Sequence, residues 1–329
     1  MAVHLPASLL RRYRRFSLYN SPYPAHDRAC AVDLYPDPVA NEGVSPVAGT
    51  VLETRTVRCP DREYAVDHDH LILLDVAEGQ VETDGVIGHG AGDADDAADL
   101  VARILHVDPH VDPGDKIAAG DSLGPMVRSG FFGPWVDNHV HLGFRRADQH
   151  LQRAGGSLPL AVDVPVDPLP WDGTGTVVET GDTYALLDAP THPAPGERFV
   201  GLGTDGRQEQ SVALDGGLTH YSGGGLLGGA EPLPHRAGDT VSFLGEPLAA
   251  CVGREEPTGD VRHRHLDWAD VAVVAETDAG THRATGISLF AAQDADFGAK
   301  LVFHRGHDLS VGDAVRVRVE ASDDPVRLG

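Results

Sequence analysis

A chain of 329 residues with 41% hydrophobic content is globular, has room for two domains and can bury a core without covalent staples. Its 50 acidic residues against 26 basic ones leave a formal net charge of −24, which excludes the basic footprint that nucleic-acid binding needs. Three cysteines at long spacings, Cys30, Cys59 and Cys251, build neither a disulfide framework nor a four-cysteine zinc module, and predict reduced thiols in a cytoplasm.

The acids are spread over the whole chain, and only Lys116 and Lys300 are lysines. This reads as a surface adapted to high salt, where at ~1 M the Debye length falls to ~3 Å and self-repulsion is screened. At the N-terminus, Leu9-Leu10-Arg11-Arg12-Tyr13-Arg14-Arg15-Phe16 predicts a basic helix or lead over residues 1–19, its arginines a solvated helix end. No apolar signal-peptide core follows it, and no run of about 18 apolar residues occurs, so neither a cleaved export signal nor a membrane span is expected.

From Ala29 onward the pattern is short β-runs punctuated by Gly, Pro and Asp: Ala31 to Tyr35, Val47 to Thr56, Ala65 to Val76, Val101 to Val107 and Asn138 to Phe144. Such spacing predicts an all-β fold, with a first β domain over 20–150. Gly85 to Leu100, rich in Gly, Asp and Ala, reads as an exposed insertion between strands. Pro159, Pro165, Pro168 and Pro170 crowd a short span, which predicts a linker over 151–170. A second β-rich domain is expected over 171–329, opening with a hairpin from Gly175 to Asp188 that turns at Thr180-Gly181-Asp182. Leu214 to Gly229 carries seven glycines in sixteen residues, which predicts either a flexible lid presenting His220 and Tyr221 or a glycine-rich turn packed on a neighbour.

Four features bear chemistry, in this order. The first is Pro24-Ala25-His26-Asp27-Arg28-Ala29-Cys30-Ala31-Val32-Asp33, an acid on a strand with a histidine before it. The second is Gly43-Val44-Ser45-Pro46-Val47-Ala48-Gly49. The third is Ile104-Leu105-His106-Val107, followed by Val111 to Gly124 with a Gly-Asp pair in each half of a hairpin. The fourth is Asn138-His139-Val140-His141, whose two histidines project to one face because strand side chains alternate. Neutral imidazoles so paired invite a metal such as zinc.

In order and spacing these segments resemble the lysostaphin-type zinc metalloendopeptidases, built on the duplicated hybrid motif, over about residues 20–146. The resemblance implies a hammerhead-like β domain, one Zn2+ per chain, a peptide-like substrate, and hydrolysis of peptide bonds by a zinc-activated water. It makes Asp33 and His141 metal ligands, and sets His106 and His139 beside the metal-bound water as general base and oxyanion stabiliser. Four residues before Asp33, where the family pattern has its first ligand, stands Ala29; the nearest histidine is His26, seven before. Either the site is rebuilt around His26 through a loop at Asp27 to Cys30, or the metal site is degenerate and the domain is a non-catalytic peptidase-like binding module. Two further His-x-His pairs, His68/His70 and His263/His265, read as structural.

Overall fold

The structure, a computed structural model, describes residues 1–83, 99–206, 210–229, 233–253 and 263–328. The chain is all-β. The single α-helix among the described residues is Ala7–Leu10. The insertion read from Gly85 falls on residues outside the described ones, while Leu100 opens a strand. No helix among the described residues is long and apolar enough to cross a membrane.

The basic helix expected over 1–19 is thus confined to one turn, flanked by the strands Val3–Leu5 and Arg15–Ser17. Pro6 stands at its N-cap without a side-chain cap, and there is no acid in its first turn and no base in its last. Nothing local sustains a longer helix, since short helices are marginal without tertiary support. Residues 151–170, expected to be a linker, instead carry two strands, Leu160–Val162 and Val166–Leu169.

Contacts divide the chain into two units: Met1–Phe16 with Arg28–Asp163, and Ser17–Asp27 with Val164–Gly329. In the first unit, antiparallel strands run in the order Val32–Tyr35, Val140–Arg146, Leu100–Leu105, His68–Val76, Gly49–Arg58 and Lys116–Ile117. Strand alternation gives this sheet two chemically different faces. Val32, Leu142, Ile104 and Ile72 stand in one register row and are fully buried. The adjacent row, Asp33, His141, Leu105 and Leu71, points to the opposite face. On that face, Arg145 and Arg103 are buried and donate to the carbonyls of His150, Arg153, Gly155 and Leu151, which pins the 150–155 segment down.

The second unit holds a sheet bounded by Thr240–Phe243 at one edge and Gly280–Ala284 at the other. Its core includes Phe243, Leu248, Leu266, Val273, Ile287 and Leu301. The expected hairpin forms from Thr174–Gly181 and Tyr184–Leu187. The glycine-rich segment is neither a lid nor a simple turn. It is a pair of antiparallel strands, Ala213–Leu218 and Gly223–Leu227. A Cβ at Gly225 would lie 2.1 Å from the Tyr19 ring, and one at Gly224 would lie 2.0 Å from the Trp268 ring. Consecutive glycines face opposite sides of the strand, so one aromatic ring rests on each face where a side chain would stand. His220 is wholly buried, and burial pushes its ring down to about 3, so it stays neutral.

Asp215, on the first of these strands, anchors residues 17–19. Its carboxylate accepts from the Ser17 hydroxyl at 2.6 Å and from the Leu18 and Tyr19 N–H groups at 2.7 and 3.3 Å. Burial raises this carboxyl from 3.8 to about 7, although the Ser17 and backbone hydrogen bonds pull the other way. Because the folded state holds the proton more tightly, Asp215 contributes stability that is full below about 3.8 and lost by about pH 7. The expected result is a decline on the order of 4 kcal/mol across that window. Comparing urea midpoints of wild type and Asp215→Asn from pH 4 to 8 checks it: the difference between the two should shrink as pH rises. A pH-independent difference refutes the assignment.

Candidate metal centre

Asp33 and His141 are directly opposed on neighbouring strands, which puts both side chains on one face. The His141 Nδ1 stands 2.9 Å from Asp33 Oδ1, and the carboxylate is buried. His139, two residues earlier, falls on the same face by strand period, with Nε2 3.5 Å from the same oxygen. Its Nδ1 meets the Asp137 carbonyl at 2.9 Å.

His106 reaches this group by a local exception. It follows Leu105, which lies opposite His141, so simple alternation would send it to the other face. Instead its φ is 70°, a left-handed conformation unusual for a residue with a side chain, and the chain turns its ring back. The ring centroid then lies 4.9 Å from that of His139 and 5.7 Å from that of His141. Phe132 closes the cluster, 4.6 Å from His139 and 5.2 Å from His106. Arg128 braces that wall: it stacks 4.9 Å over the Phe132 ring and donates to the carbonyls of Gly133, Pro134 and Val136.

Asp69 holds His106 in place. It is completely buried. Its Oδ1 accepts the His106 N–H at 3.0 Å and the His70 N–H at 2.6 Å. Its Oδ2 lies 2.5 Å from His106 Nδ1 and accepts the Ser129 hydroxyl at 2.6 Å. Burial alone would raise this carboxyl, but the His106 ring, the Ser129 hydroxyl and the His70 N–H together hold it at about 2. Asp69 is ionised at any working pH.

The spacing of seven between His26 and Asp33 does not run as extended strand. Residues 24–29 form a turn, and Ala29 takes a φ of 47°. The His26 Nδ1 lies 2.8 Å from the Leu18 carbonyl, which makes Nδ1 the donor. His26, Asp33 and His141 each offer a ligand atom within 4.8 Å of the others, so one His/Asp/His group can hold a metal ion. Two imidazoles and a carboxylate are donor types that zinc accepts.

The sequence-derived candidates His26, Asp33, His106, His139 and His141 thus fall into one neighbourhood, while Asp69, Ser129 and Phe132 join it without having been singled out. Asp69 carried no periodic signal, because residues 69–74 of its strand are buried on both faces. The pair around it does not join the site. His68 is exposed and meets Asp67, and His70 lies 3.6 Å from Asp108. His263 and His265 are buried, His263 against the Tyr19 hydroxyl at 2.8 Å.

Residues 4–162 match the family model described as Domain of unknown function (DUF8155) N-terminal domain, and residues 167–320 match its C-terminal domain. No curated protein and no solved structure matches the chain.

Proposed function

We propose that this chain, which belongs to the DUF8155 family, is a zinc-dependent hydrolase of peptide bonds, in the manner of the lysostaphin-type enzymes its sequence resembles. The observation that carries this reading is the convergence of Asp33, His106, His139 and His141 on one sheet face, with a buried carboxylate behind His106. Asp33, His141 and His26 are the residues to hold the ion. When bound, it supplies Lewis acidity toward a water and toward an amide carbonyl. The chain's own residues supply the rest. His106 and His139 present imidazoles beside the ligand pair, where one takes a proton from the attacking water and the other steadies the tetrahedral oxyanion. Phe132 covers this group and keeps bulk water from the rings. The same reading sets the protein in a cytoplasm, where Cys30, Cys59 and Cys251 persist as thiols.

The test is cleavage of a mixed peptide library in high salt, read by mass spectrometry, with zinc and with a chelator. Zinc-dependent cleavage that falls ~10²–10⁴-fold in His139→Ala is the expected outcome. Zinc retained without any cleavage would instead make the domain a peptide-binding module.

A further inference from the structure

The two non-ligand histidines of the site are not equivalent. His139 turns its Nδ1 to a backbone carbonyl, that of Asp137, at 2.9 Å. His106 turns its Nδ1 to a carboxylate at 2.5 Å, and that carboxylate has no exposure to water. We infer that Asp69 is a positioning residue that locks His106 as the Nδ1–H tautomer and thereby makes His106, not His139, the proton acceptor of the site. The inference deepens the hydrolase reading and rests on it for the reaction, though not for the tautomer.

Three observations support it independently. First, Asp69 grips His106 at two points, ring and backbone N–H, and so fixes both the ring's hydrogen bond and the left-handed backbone that aims it. Second, Ser129 and the His70 N–H fill the remaining acceptor positions of the carboxylate, so it cannot rotate away. Third, Asp69 is held ionised at about 2, so it accepts and does not donate toward the ring. A buried carboxylate on one imidazole nitrogen leaves the lone pair on the other and stabilises the cation formed on protonation.

The water oxygen bonds to the amide carbon, and the π pair moves to the carbonyl oxygen. The water's proton passes to His106 Nε2, while Nδ1–H stays on the ring against Asp69. As the C–N bond breaks, the Nε2 proton leaves with the nitrogen, giving an acid and an amine.

The experiment is NMR on protein with 15N-labelled histidine rings, in high salt, with His106→Gln used to assign the signal. In the wild type, His106 is expected as the Nδ1–H tautomer, with its ring N–H resonance far downfield of the other histidines. In Asp69→Asn that resonance should move back upfield while zinc content stays at about one per chain. The kcat for peptide cleavage should then fall ~10²–10⁴-fold with little change in KM. An Nε2–H tautomer of His106 in the wild type, or an Asp69→Asn protein with unchanged kcat, overturns the inference. Should Asp69→Asn fail to fold, the wild-type tautomer decides alone. If the wild type cleaves nothing yet shows the downfield proton, the hydrolase reading falls and the hold of Asp69 on His106 stands.

Discussion

His141→Ala is expected to empty the metal site. Elemental analysis of purified wild type in high salt should give about one zinc per chain, and the variant should lose it, with affinity reduced at least ~100-fold. The reason is geometric. His141 shares its sheet face with Asp33 in direct register, at 2.9 Å, and no other imidazole approaches that carboxylate as closely among the contacts described above. His139 stands farther off, at 3.5 Å, with its other nitrogen engaged by Asp137. His68→Ala is the control: that ring is exposed and outside the group, so zinc content should not change. A wild type that takes up no zinc even when the ion is added back would remove the basis of the hydrolase reading.

Gly225→Val is expected to be the most damaging single change in the second unit, costing about 3 kcal/mol or more. Gly225 pairs with Asp215 on one side and His265 on the other, so its strand is held from both edges and cannot move aside. The Tyr19 ring occupies the place of the missing side chain, 2.1 Å from where a Cβ would stand. Tyr19 itself is tied through its hydroxyl to His263 and through its N–H to Asp215, so the ring has nowhere to swing. Thermal unfolding should show the loss as a lower midpoint. Adding Tyr19→Ala to Gly225→Ala should cost less than the sum of the two single changes, because the first removes the ring that the new methyl of the second would strike. Strict additivity would mean that the glycine serves something other than the ring.

Much of this site was legible because strands repeat every two residues. Asp33 and the pair His139/His141 needed only that rule and a register. His26 was legible only as the nearest histidine before Asp33, on condition of a loop at Asp27 to Cys30, and the turn over 24–29 is what breaks the strand there. Asp69 was not legible, for an instructive reason. It sits between His68 and His70, and histidines flanking an acid at a strand entrance look like solvent-facing decoration. Only His106, far along the chain and turned by a left-handed backbone, gives Asp69 its role, and no periodicity announces such a turn at a residue other than glycine. The glycine-rich strands were misread for a related reason. Glycine signals freedom to bend, but here it is the absence of a side chain that matters, and the ring that needs the space lies about two hundred residues earlier. Likewise, residues 17–27 count with the second unit because Asp215 captures Ser17 and its neighbours, a long-range pairing with no local trace.

The alternation of an all-apolar row with the Asp33–His141 row couples assembly to chemistry in the first unit. A slip of one residue between Val32–Tyr35 and Val140–Arg146 would turn Asp33 or His141 into the hydrocarbon interior and push Val32 or Leu142 out of it. A mispaired strand is therefore penalised twice, by buried charge and by exposed hydrocarbon, before any catalysis is at stake. Deletions or insertions of a single residue within these strands should be far less tolerated than ones of equal size in the connections. The residues that make the site polar also proofread the order in which the sheet is put together.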